Sequence, residues 1–259
     1  MSDLVTNMDD LNHGIEELVR VSIERLNPDL KAVFLFGSGN SKDFIRGLSD
    51  LDFIYLLSHI DYDKLTDLSK LRDEGHNLTG YCVDIKPFTL DEFVAGINGK
   101  GTFEFFNGWG LEMIKRGHQR CLYKTEDVSL NYEITPDRIK SDSLERAHYY
   151  ITKLRKVLGS TDSVILRGQK RVLDSSDLLK VCASAIKNVL TFCLAYRGEF
   201  AYLTEEVMGS SESLFGDIRP ISGLMKQKNN RVFDPACIIA AYNNVERIYQ
   251  QVVGDKLNE

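Results

Sequence analysis

At 259 residues the chain has room for one large domain or two modest ones. Its 43% hydrophobic and 27% charged residues are those of an ordinary globular protein whose core needs no disulfide or metal staple. The net charge of −6 gives no overall basic footprint, so long nucleic acid is not the expected partner.

Five scattered cysteines, Cys82, Cys121, Cys182, Cys193 and Cys237, show no C-x-x-C spacing and read as reduced thiols of a cytoplasmic protein. The N-terminal MSDLVTNMDD is acidic and lacks the apolar run of a signal peptide. No segment is expected to reach the roughly 18 apolar residues of a membrane span.

In chain order, the apolar spacing of Ile15, Leu18, Val19, Ile23 and Leu26 predicts a helix over 9–27, ended by Asn27-Pro28. Residues 32–36 read as a buried strand stopped by Gly37, and 38–49 as a loop. A second strand is expected over 51–57, a surface helix over 62–76, and a third strand over 81–88 closed by Pro87. Residues 90–117 read as mostly helical, and 121–124 as a last short strand. Residues 126–141, polar and carrying Pro136, read as a linker.

From Asp142 onward only helices are expected. Asp142 and Glu145 suggest an N-terminal cap, followed by a stripe of Leu144, Ala147, Ile151, Leu154 and Leu158. Leu178, Cys182, Ala185, Val189, Phe192 and Tyr196 form a second stripe, and Asp234-Pro235 opens a third helix. The expected fold class is therefore α+β: a small mixed β-sheet domain with flanking helices over 1–125, then an all-α helical bundle over 142–259.

The chemistry concentrates in the first part. In Ser49-Asp50-Leu51-Asp52-Phe53 the strand period of two puts Asp50 and Asp52 on one face and Leu51 and Phe53 on the other. Asp84, in Val83-Asp84-Ile85, is a third carboxylate between apolar residues. Aspartate in mid-strand is disfavoured and costly to bury unpaired, so two strands that both carry it point to a shared metal ion. Gly37-Ser38 directly follows a buried strand, where glycine admits close backbone approach to a phosphate and the serine hydroxyl can bind one. Lys42 and Arg46, between the halves of the motif, either meet the same phosphates or are solvated loop charges.

Phe36-Gly37-Ser38, then Asp50-Leu51-Asp52 a dozen residues on, then Asp84 in a strand, resembles the polymerase-beta-like nucleotidyltransferase superfamily over roughly residues 9–125. The resemblance implies that Gly37 and Ser38 hold nucleotide phosphates. It implies that Asp50, Asp52 and Asp84 are catalytic and ligate two Mg²⁺ ions, with Asp84 a candidate base. The stretch Gly39-Asn40-Ser41-Lys42-Asp43 is looser than the family's usual continuation. The helical part resembles, more weakly, the bundles of aminoglycoside nucleotidyltransferases and of HEPN-type partners. A HEPN ribonuclease is not expected, because Arg146 is followed by His148 at the wrong spacing.

The expected substrates are a nucleoside triphosphate, ATP foremost, and a small-molecule hydroxyl acceptor bound between the two domains, with no membrane partner and a homo-oligomer left open. The alternatives are a protein adenylyltransferase and a non-catalytic, antitoxin-like binding module. Trp109 with Phe103, Phe105 and Phe106 reads as packing rather than base stacking. His59, His76 and His118 read as surface residues, and Glu199, Glu205 and Glu206 as a helix end or an acceptor base.

Overall fold

A computed structural model describes residues 8–40, 44, 49–100, 106–159, 164–166, 169–171 and 174–258. The chain divides into two compact units, Met1–Ile134 and Thr135–Glu259.

In the first unit, α1 (Met8–Leu26) buries Leu11, Ile15, Leu18, Val19 and Leu26. Strand β1 (Leu30–Phe36) starts two residues earlier than its apolar run, and β2 (Leu51–Leu57) lies where expected. Helix α2 (Tyr62–Thr79) is capped by the Asp61 side chain, which accepts from the Lys64 N–H at 2.8 Å, and stops at Gly80 in the left-handed conformation. Strand β3 (Val83–Thr89) runs into α3 (Leu90–Ile97), whose start is fixed by a reciprocal Thr89–Glu92 capping box. Then come α4 (Gly108–Lys115) and β4 (Arg120–Lys124), so among the described residues the expected helical stretch 90–117 holds two short helices.

The sheet order is β3-β2-β1-β4. Strand β1 is antiparallel to both neighbours, whereas β2 and β3 are parallel. A parallel pair needs a crossover, and α2 supplies it. Both sheet faces are covered, which explains the unbroken apolar run of β2. One core joins Val33, Leu35, Phe53, Tyr55 and Ile85 to Leu11, Ile15 and Leu18 of α1 and Leu68 and Leu71 of α2. The other joins Phe34, Ile54 and Leu56 to Phe93, Phe106, Leu111 and Ile114.

Pro87 does not close β3 but sits within it, opposite Tyr55 of β2. The Leu51 N–H donates to the Cys82 carbonyl, so even-numbered residues of β3 bond to β2 and odd-numbered ones face away. Pro87 thus turns its donorless nitrogen outward on an edge strand, where proline is tolerated. The outward Ile85 carbonyl accepts from the Arg72 guanidinium.

The stretch 126–141 is not a linker. Val128 and Tyr132 are buried against the second core, and the Tyr132 hydroxyl donates to the Leu111 carbonyl at 2.9 Å. Helix α5 (Pro136–Gly159) already begins at Pro136, with the Thr135 hydroxyl accepting from the Arg138 N–H. Proline at a first helical position starts a helix as readily as it ends one, and Asp142 therefore lies inside α5 rather than at its cap.

The second unit continues with a hairpin, β5 (Val164–Leu166) and β6 (Gln169–Arg171), which corrects the all-helix expectation. Helices α6 (Ser175–Tyr196), α7 (Thr204–Phe215), α8 (Arg219–Asn230) and α9 (Pro235–Asn258) follow. Helix α5 is tied to α9 by a bidentate Arg155–Glu246 pair and by the His148 Nδ1–Tyr249 hydroxyl bond at 2.8 Å. The arginine holds the Glu246 carboxyl below the usual carboxylate range. Helix α6 is long and apolar enough to cross a membrane, with a mean hydropathy of 1.6, contrary to the sequence reading. Since 67% of that window is buried inside the fold, its apolar surface is already covered by its neighbours.

The first core encloses one polar pair, the Ser22 and Tyr55 hydroxyls 2.7 Å apart. Burial pushes the Tyr55 phenol well above its ordinary pKa. Ser22→Ala should orphan that hydroxyl and cost about 1–3 kcal/mol, read as a lower urea midpoint. Adding Tyr55→Phe should recover part of the loss; no recovery would mean that the hydroxyl pair is not its source.

Candidate active site

The site forms where β1 ends and β2 and β3 begin. At the end of β1 the chain must leave the sheet sharply, and Gly37 does so with φ +71°, a left-handed value that favours glycine. It also lies against the carboxylate of β2: a Cβ at Gly37 would stand 2.9 Å from Asp52 Oδ2. Gly37 opens a single 3-10 turn, Gly37–Asn40, that carries the half-buried Ser38. The turn is pinned by Asn40, whose Nδ2 donates to the His118 carbonyl at 3.0 Å.

Asp50 is half-buried immediately before β2. Asp52 is in register with Phe36 on one side and with Asp84 on the other. The sequence placed Asp50 and Asp52 on one face; the structure adds that Asp84 is the direct cross-strand neighbour of Asp52. Their side chains are 26% and 27% exposed, recessed but open to a ligand.

Sequence reasoning missed Lys86. Its Nζ lies 3.3 Å from Asp52 Oδ1, 3.3 Å from Asp84 Oδ2 and 4.6 Å from the Phe36 ring centroid. The signal was present: Lys86 follows Asp84 by two, and the strand period puts both on one face. Burial pushes the Asp52 carboxyl above the usual carboxylate range; Lys86 opposes this, while Asp84 and Asp50 add to it.

Among the described residues, no three His, Cys, Asp or Glu side chains gather tightly enough to enclose a metal ion. The two aspartates in register nevertheless fit one. Their donors are carboxylate oxygens, which Mg²⁺ prefers, and a cation, the Lys86 ammonium, already rests at a point shared by both.

Lys42 and Arg46 lie outside the described residues, as do Phe103 and Phe105. Trp109 is half-buried on α4. His76 binds the Tyr81 carbonyl at 3.0 Å, and His59 lies beside Asp29 and Asp61. Glu206 accepts from the Tyr202 and Leu203 N–H groups at 3.1 Å and so tethers the start of α7, while Glu199 and Glu205 are exposed.

A sheet closed by α1 and α2 on one face thus carries a Gly-Ser turn beside paired aspartates. Residues 17–106 match the family model of the nucleotidyltransferase domain. Nucleotidyl transfer is the activity that goes with it. No curated protein matches the chain. Among solved structures it is similar in fold to spectinomycin adenyltransferase from Enterococcus faecialis, determined with ATP and spectinomycin. Identity is 11%, with 93% of this chain and 98% of that one covered at a TM-score of 0.56. A nucleotidyltransferase-like protein from Exiguobacterium sibiricum aligns at 10% identity over 92% of this chain and 75% of that one, with a TM-score of only 0.30.

Two predictions follow from the geometry. Gly99 also has positive φ, +68°, and a Cβ there would meet no atom of the described residues within 4 Å, so Gly99→Ala should cost only the left-handed backbone penalty of about 1–2 kcal/mol. Gly37→Ala should lower the urea midpoint further, because it adds the collision with Asp52; equal losses would remove that contact.

The second concerns pH. A folded pKa raised above the unfolded value means that ionising Asp52 destabilises the fold as pH rises through both values. Asp52→Asn, melted in EDTA, should be as stable as the parent or more so at neutral pH. That advantage should vanish below the unfolded carboxylate range, about pH 4. An advantage that grows on acidification would contradict the assignment.

Proposed function

We propose that this protein is a Mg²⁺-dependent nucleotidyltransferase that moves a nucleoside monophosphate from a nucleoside triphosphate, ATP foremost, onto a hydroxyl of a small molecule. The observation that carries the reading is the in-register pairing of Asp52 with Asp84, preceded by Asp50 and set beside the Gly37 turn.

In this reading Gly37 and Ser38 hold the triphosphate, with the backbone of the 3-10 turn offering N–H groups. Asp52 and Asp84, with Asp50 just before β2, would hold the two Mg²⁺ ions, which would supply charge neutralisation of the triphosphate and of the oxygens that exchange at phosphorus. The acceptor oxygen forms a bond to the α-phosphorus, the bond from that phosphorus to the bridging oxygen breaks, and pyrophosphate leaves. The hydroxyl proton passes to Asp84. Such chemistry is mostly positioning and electrostatics, so no nucleophilic side chain is required.

Two facts support a small acceptor. The net charge of −6 disfavours a long polyanion. The spectinomycin adenyltransferase that shares this fold was solved with both ATP and a small acceptor. We place the protein in the cytoplasm, where its five cysteines would remain reduced.

The test is a cell-lysate reaction with ATP labelled at its α-phosphate, followed by removal of protein. Label should appear in the protein-free filtrate as a new small molecule, and Asp50→Asn or Asp52→Asn should abolish it. Label retained only on protein would identify a protein adenylyltransferase. No transfer to any fraction would identify a binding module.

A further inference from the structure

We infer that Lys86 is a tethered counter-ion that holds the Asp52–Asp84 pair while no divalent ion is bound, and that a divalent ion loads by exchanging with its ammonium. The inference rests on the reading of these aspartates as metal ligands.

Three observations carry it. First, Nζ is equally distant, 3.3 Å, from one oxygen of each aspartate. Charge-assisted N–H···O⁻ bonds are usually about 2.7–2.9 Å, so the ammonium is shared between the two carboxylates rather than tightly bonded to either. Second, the Phe36 ring centroid is already 4.6 Å from Nζ, so the ammonium rests partly on a neutral partner and not on the carboxylates alone. Third, the Lys86 side chain is 29% exposed, so it reaches solvent without unpacking the sheet.

Placement by the backbone keeps the two cations in competition. Asp84 and Lys86 lie two apart on β3 and so share one face, which keeps the lysine stem beside the carboxylates while its ammonium swings on and off them. Two cations cannot share the space between the same two oxygens, because like charges at that range repel strongly. The aspartates are therefore never left to face each other uncompensated: one cation hands them to the other. A further consequence is that metal binding is weaker than the carboxylates alone would give, since each ion entering must displace a cation already there.

The experiment uses the full chain, Lys86→Met, which keeps a linear stem beside Phe36, and Mn²⁺ alone as probe, with free ion counted by its paramagnetic resonance signal. Lys86→Met should bind Mn²⁺ tighter than the parent by on the order of tenfold, equivalent to about 1.4 kcal/mol. In EDTA it should also melt below the parent, because the aspartates have lost their partner. Lys86→Gln serves if the methionine variant is insoluble. Equal or weaker Mn²⁺ binding by the variant, with the parent binding normally, would overturn the role of Lys86 and leave the metal site standing. Absence of Mn²⁺ binding in both proteins would overturn the metal site itself, and this inference with it.

Discussion

The parallel register of β2 on β3 is the constraint from which the rest of the first unit follows, because it sets Asp52 beside Asp84. Two carboxylates side by side repel, and burial worsens the repulsion by removing water. The fold holds them there through packing on both sides of the same strands. Leu51, Phe53 and Tyr55 are locked against α1 and α2, and Ile54 and Leu56 against the aromatic cluster around Phe93 and Phe106. Helix α2, as the crossover, fixes which way β3 runs. The energy of two apolar layers is thereby used to hold an arrangement of charge that is unfavourable by itself.

Much of this site was legible because strand periodicity is simple. Alternation alone put Asp50 and Asp52 on one face, and apolar flanks marked Asp84 as an aspartate in a strand. Gly37 was legible as the end of an apolar run. The adjacency of Asp52 and Asp84 was not, since pairing partner and direction are properties of the whole sheet. Lys86 was overlooked although the same alternation reaches it, because a lysine in a strand looks like surface until its neighbours are known. The lesson is particular: once Asp84 is taken as a site residue, the residue two further on shares its face.

Proline caused two of the errors elsewhere. Pro136 reads as a breaker, yet it begins α5 behind the Thr135 cap, and Pro87 reads as a terminator, yet it lies inside β3. In each case the outcome turns on whether the missing N–H would have had a partner, which sequence does not state. The helices of the second unit were visible as stripes, but α6 is buried well beyond one stripe, with Leu190, Phe192, Leu194 and Tyr196 all inside. A helix packed on several sides loses the contrast between faces on which periodicity depends.

The outer side of β3 has one more consequence. An edge strand displays a row of N–H and C=O groups that can pair with any passing strand, and such edges seed aggregation. Here Pro87 removes one donor from that row and Arg72 occupies the Ile85 carbonyl. A foreign strand meets an interrupted ladder there. The strand that bears Asp84 is thus guarded against being recruited into a larger sheet.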